Sequence, residues 1–169
     1  MDDAELLMDA YRSQATASVR AKLDALLDLE RLRDPRVVPL LLEVLDDRRE
    51  PMAVRIHILK RLRNAELMRN YRPAIAEAML RLLSNRSGPD LRLEATLALA
   101  HFTDMEGVLA ALGGMALDPL KPIDLRYSAF TSLQQAGPTP ECVSLLRQLS
   151  ADEMLGPAAV RVLSSWRIQ

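Results

Sequence analysis

Cysteine is nearly absent. The single thiol, Cys142, excludes an internal disulfide and suits a reducing compartment. Aromatic residues make up only 4% of the chain, and a groove that stacks nucleic-acid bases wants more of them. An excess of one charge is also missing: the net charge is −1, so no overall field draws nucleic acid, a membrane surface or an acidic substrate. No apolar run approaches the ~20 residues that a membrane span needs. Met1-Asp2-Asp3 opens an acidic segment rather than the basic-then-apolar pattern of a secretion signal. These absences lead to the expectation of a cytoplasmic protein with no membrane partner.

Signals for catalysis are equally sparse. The two histidines, His57 and His101, are not spaced as His-x-x-x-His and have no carboxylate at ligand spacing. Gly113-Gly114 lies in an apolar run and lacks the Lys-Ser/Thr of a phosphate loop, so it reads as a helix break or a close-packing point. Cys142 sits at a helix start, where the dipole favours a thiolate, but Glu141 opposes that effect and no histidine is placed to act as base. Paired acids such as Asp46-Asp47 and Asp152-Glu153 read as turn caps. The expectation is a protein with no catalytic residue, no metal and no cofactor.

What is present is a repeat. Val19-Arg20, Val54-Arg55, Leu91-Arg92, Leu125-Arg126 and Val160-Arg161 each open an apolar run, and the gaps between the arginines are 35, 37, 34 and 35 residues. Self-similarity at that period marks stacked helical hairpins. With the aliphatic residue as position 0 of a second helix, position 4 is Leu23, Ile58, Ala95, Ala129 and Ser164. Position 8 is Leu27, Leu62, Leu99, Leu133 and Ile168. Positions 0, 4 and 8 fall within about 80° of arc, which predicts one buried stripe.

A first helix precedes each of these. Its apolar runs are Val37 to Leu45, Ile75 to Leu83, Val108 to Leu117 and Val143 to Leu149, and in the first repeat it runs from Asp3 to about Ser13. Asp34-Pro35 and Thr139-Pro140 read as an N-cap followed by Pro at the first helical position. Asp104 is a further candidate cap, and Asn70 with Pro73 opens another helix. Pro39 falls about one turn inside its helix and predicts a kink. Gly88-Pro89-Asp90, Lys121-Pro122-Ile123-Asp124 and Gly156-Pro157 separate first from second helices. The reading is an all-α protein, an α-solenoid of about five stacked antiparallel hairpins. It is one domain over 1–169, with repeats at about 1–32, 33–67, 68–102, 103–137 and 138–169.

The segments "DPRVVPLLLEVLDD" from Asp34, "PDLRLEATLALAHF" from Pro89 and "IDLRYSAFTSLQQAG" from Ile123 resemble the HEAT-repeat family, in its lyase-type HEAT-like variety. The resemblance implies a ladder in which an Asp in the turn between the two helices pairs with a second-helix Arg, often that of the neighbouring repeat. Asp47 and Asp118 stand eight residues before Arg55 and Arg126. Ser84 holds that place before Arg92, and Glu153 before Arg161. Arg55, Arg92 and Arg126 are read as structural. The last repeat ends without a polar capping helix, which raises a homodimer through that repeat.

The resemblance also implies that second helices line a concave face, whose polar arc falls near positions 3, 6, 7 and 10. That arc holds Lys22, Ala25, Leu26 and Leu29 in the first repeat, and His57, Lys60, Arg61 and Asn64 in the second. Residues 48–92 carry 11 basic against 4 acidic side chains, between acidic flanks. The candidate binding site is a ridge of His57, Lys60, Arg61 and Arg63, flanked by Lys22 and Glu94, with Trp166 at the far end. Such cations meet carboxylates or phosphates through charge-assisted hydrogen bonds. The competing reading is a solvated helix face whose long stems cover leucine, with Trp166 packed on its own repeat.

The function expected is a non-catalytic scaffold that grips a protein partner. Two others follow from the resemblance. A base-repair enzyme of the HEAT-like glycosylase type would want a strongly basic groove with aromatics, and only Tyr127 and Trp166 qualify. A bilin-lyase-like accessory subunit would want a pigment pocket, which nothing in the sequence marks.

Overall fold

A computed structural model describes residues 1–14, 17–63 and 66–168, with side chains left undescribed at 66–68. Asn64, placed on the polar arc from sequence, lies outside the described residues, as does Gln169. The described chain is all-helical, with no strand, and divides into two compact units, residues 1–78 and 79–169.

In the first unit α1 (Asp3–Arg12) and α2 (Val19–Arg31) form one helix pair, and α3 (Val38–Asp46) and α4 (Met52–Leu62) form the next. The start of α1 is fixed by a capping box, Asp2 and Glu5 each accepting the other's backbone N–H. Ser18 caps α2 through the amide of Ala21. The helix pairs are joined sideways, α2 packing on α4. Helix α5 (Arg72–Arg81) follows, and its last residues belong to the second unit.

The second unit continues the alternation. Helix α6 (Pro89–Leu99) packs on α8 (Ile123–Ala136), and α7 (Val108–Leu117) packs on both α8 and α9 (Pro140–Leu149). Helix α9 pairs with α10 (Gly156–Ser165). Thr139 caps α9 through the amide of Cys142, with Pro140 in the first turn, as the dipeptide predicts. Gly88 precedes Pro89 with φ of 82°, a conformation few side-chain-bearing residues adopt.

Two local expectations are corrected. Pro39 does not kink a helix. Residues Pro35–Val37 form a turn of 3₁₀ helix, α3 proper begins at Val38, and Pro39 therefore sits in a first turn, where no N–H is required of it. Asp104 is not the cap of α7; Gly107 holds that place in a left-handed conformation.

The three internal second helices bury the predicted stripe: Val54, Ile58 and Leu62 in α4, Leu91, Ala95 and Leu99 in α6, and Leu125, Ala129 and Leu133 in α8. Each such leucine removed from water contributes roughly 1.5–3 kcal/mol. The outer two helices are rotated away from that register. In α2 the buried residues are Lys22, Leu26 and Leu29, while Val19 is exposed. Its sequence offers two apolar stripes, and packing selects the one through Leu26 and Leu29. In α10 the small residues Ala158 and Ala159, with Val162 and Leu163, face inward, and Val160 faces solvent.

Gly113 belongs to the close-packing reading. A Cβ there would fall 2.5 Å from Leu145 Cδ2, so α7 and α9 approach each other at that point. Gly114 faces open space.

Candidate functional site

The basic cluster occupies the C-terminal end of α4. Lys60 and Arg61 lie in its last turn and Arg63 is its C-cap. Cations at a helix C-terminus oppose the negative end of the dipole, typically by 0.3–1 kcal/mol, so position alone favours them there. Lys60 and Arg61 are exposed, whereas His57 and Arg63 are half-buried.

One carboxylate organises this end of the helix. Glu30, in the last turn of α2, places Oε1 2.7 Å from His57 Nε2 and Oε2 3.1 Å from Arg61 Nε. A carboxylate can only accept, so the imidazole nitrogen donates. Glu30 therefore fixes both side chains one helical turn apart and offsets part of the Arg61 charge, while Arg61 stays 53% exposed. Glu30 was not evident as a site residue from sequence. The signal for it was its place in the last turn of the preceding second helix, which only α2–α4 packing brings to α4.

Lys22 is not part of that surface. It is 4% exposed, and its ammonium donates to Glu50 Oε2 at 2.9 Å. The Tyr11 hydroxyl donates to the same oxygen at 3.1 Å, and the Lys22 ammonium stands 5.9 Å from the Tyr11 ring centroid. Burial, followed by the Glu50 charge, pushes the Tyr11 phenol far above its usual range. Leu26 and Leu29, also placed on the polar arc from sequence, are core residues. The physical reason is the rotation of α2: a buried lysine is tolerated because Glu50 neutralises it.

Glu94 and Trp166 belong to the second unit. Glu94 is half-buried on α6, and Trp166 is the half-buried C-cap of α10. In the first unit His57, Lys60, Arg61 and Arg63 share one helix end, which includes neither Glu94 nor Trp166.

An acid–arginine pair of the implied kind joins neighbouring repeats at Arg126 and Asp152, but Asp47 and Asp118 do not pair with the arginines of their own repeats. Arg55 and Arg126 are buried, and each donates Nε to a carbonyl ten residues back: Leu45 at 2.8 Å and Ala116 at 3.0 Å. Asp47 and Asp118 serve their own turns instead. Each accepts the amide two residues on, from Arg49 and Leu120, at 2.9 Å. Asp47 also holds the Arg49 guanidinium, which lowers its carboxyl pKa more than any other contact.

Asp152 repeats the turn, accepting the Met154 amide at 2.9 Å and the Leu155 amide at 2.8 Å. Its second oxygen receives Arg126 Nη2, so the acid that pairs with Arg126 comes from the following corner. Among the described residues Arg92 reaches neither a carboxylate nor a backbone carbonyl. Its Nη1 donates to Asn85 Oδ1 at 2.6 Å, and its Nε is buried without a partner.

The remaining chemistry is quiet. Cys142 is fully buried, its thiol donates to the Leu133 carbonyl at 2.9 Å, and burial with the Glu141 charge pushes its pKa up to about 11. Among the described residues no three His, Cys, Asp or Glu side chains gather as metal ligands, and no helix is long and apolar enough to cross a membrane.

Comparison with known families gives one match: residues 21–47 fit the family model described as PBS lyase HEAT-like repeat. The chain thus carries a HEAT-like repeat, and the matched segment spans most of α2 and all of α3. No curated protein and no solved structure matches the chain significantly.

Proposed function

We propose that this HEAT-like repeat chain is a non-catalytic scaffold, an α-solenoid of about five helix pairs working in the cytoplasm. It would bind a protein partner through the C-terminal end of α4. The observation that carries the reading is the exposed Arg61, held in place by the Glu30 carboxylate from another helix, with exposed Lys60 beside it in sequence. An arginine already anchored at Nε loses less rotamer freedom when it meets a partner's carboxylate, and its fork suits that geometry. Arginine is also enriched among residues that dominate interface energetics. Helical repeats commonly serve protein interaction, and the inert Cys142 thiol fits a role without turnover.

The test is affinity capture from native lysate with nuclease present. Wild type is compared with a Lys60→Glu/Arg61→Glu variant whose helicity is checked by circular dichroism. A discrete protein retained by wild type and lost by an equally helical variant supports the reading. Equal retention by both would remove α4 as the site. Recovery of nucleic acid that declines steeply with salt would favour the glycosylase-type alternative.

A further inference from the structure

The corner that opens α6 lacks the carboxylate found at three others. Asp47 and Asp118 stand eight residues before Arg55 and Arg126, and Asp152 nine before Arg161, whereas Ser84 and Leu83 stand eight and nine before Arg92. Two cations converge on the neighbouring neutral side chain instead. Asn85 Oδ1 accepts Arg92 Nη1 at 2.6 Å and Lys121 Nζ at 3.2 Å. Cations that share one acceptor atom lie within about 6 Å of each other. An amide oxygen offers them only a partial charge, so their repulsion is poorly compensated.

Neither cation has a carboxylate partner among the described residues. The acids closest in sequence are otherwise placed: Asp118 turns Oδ1 to the Leu120 amide, and Asp90 is exposed in the first turn of α6. Arg92 Nε adds a buried donor with no acceptor, where Arg55 and Arg126 each have a carbonyl.

We propose that the Arg92–Asn85–Lys121 corner is an oxyanion site that takes a phosphate group. The guanidinium keeps donors beyond the one used on Asn85, and the ammonium keeps two of its three hydrogens. Donors arriving from two separate side chains suit a tetrahedral dianion better than a single planar carboxylate. The site lies wholly within residues 79–169 and does not depend on the reading of α4.

The full chain is titrated with inorganic phosphate, and with sodium chloride at matched ionic strength, by amide NMR and thermal unfolding. A saturable response is expected, with shift changes confined to the amides of residues 84–92 and 118–122. Lys121→Gln should weaken it about ten-fold or more. Asn85→Asp, which supplies a carboxylate in place, should abolish the phosphate response while raising the unfolding temperature in its absence. Tighter binding of phosphoserine amide than of inorganic phosphate assigns the site to a phosphorylated ligand, and equal binding assigns it to the free anion. A response that chloride reproduces, or that survives in Asn85→Asp, overturns the proposal.

Discussion

Replacing Asp152 by Asn should separate the two roles of one carboxylate. In the native corner one oxygen accepts the amides of Met154 and Leu155, while the other receives the Arg126 guanidinium. An asparagine can keep its carbonyl oxygen toward the amides. It then presents an NH₂ donor to a guanidinium that also only donates. Arg126 is 4% exposed and would retain just the Ala116 carbonyl. Breaking a buried pair from one side costs about 3–5 kcal/mol, and the 15% exposure of the Asp152 side chain lowers the expectation to about 2–3 kcal/mol.

Asp152→Ala also removes the acceptor for both amides and should cost about 1 kcal/mol more. In an Arg126→Met/Asp152→Asn double variant the loss should fall short of the sum of the singles by about 1–2 kcal/mol. Urea unfolding followed by circular dichroism measures all four. The pH dependence gives a second reading. The Leu155 amide and then Arg126 hold the Asp152 carboxyl below its ordinary value against the cost of desolvation. A carboxyl depressed on folding adds stability that is present above its unfolded value, near ~3.9, and is lost as pH falls through the folded value. The gap between wild type and Asp152→Asn should therefore narrow below about pH 4. An Asn variant within about 0.5 kcal/mol of wild type at neutral pH, or a coupling near zero, would refute the pairing.

The glycines of the second unit should divide in sign. Gly114→Ala faces open space and should stabilise α7 by about 1 kcal/mol. Gly156→Ala would set a Cβ 2.7 Å from the Ser150 carbonyl oxygen and should destabilise by roughly 1–3 kcal/mol, both read as unfolding midpoints. Lys22→Met should cost about 2–3 kcal/mol by leaving Glu50 buried with Tyr11 alone, and Glu50→Gln in the same chain should restore most of the loss. Cys142, fully buried with its pKa pushed up to about 11, should resist alkylation at pH 8 in the native state and react only as fast as the chain opens.

The repeat period located every second helix because the pattern at positions 0, 4 and 8 reports which face packs. It read α4, α6 and α8 correctly, since each presents a single apolar stripe. In α2 the leucines fall on two overlapping stripes; packing selects between them, and the chosen rotation buries Lys22 against Glu50, 28 positions away in sequence. Local pattern cannot encode that. The basic end of α4 was visible as a run of cations, but the carboxylate that positions it comes from a different helix and carries no local signature. The arginine ladder was legible only in part for a related reason: Arg126 meets an acid of the next repeat's turn, while Asp47 and Asp118 stand at the implied spacing and accept the amide two residues on instead.

At each of these corners an aspartate accepts the backbone amide two residues on. At two of them the residue that donates the amide lends no side-chain atom to the turn: Leu120 and Met154 are largely exposed, whereas Arg49 turns its guanidinium back onto Asp47. These two positions, occupied by an isobutyl group and a thioether in the second unit, can be rewritten without repacking a helix. Recognition chemistry placed there could be exchanged at little cost in stability, because the corner is indifferent to what it carries.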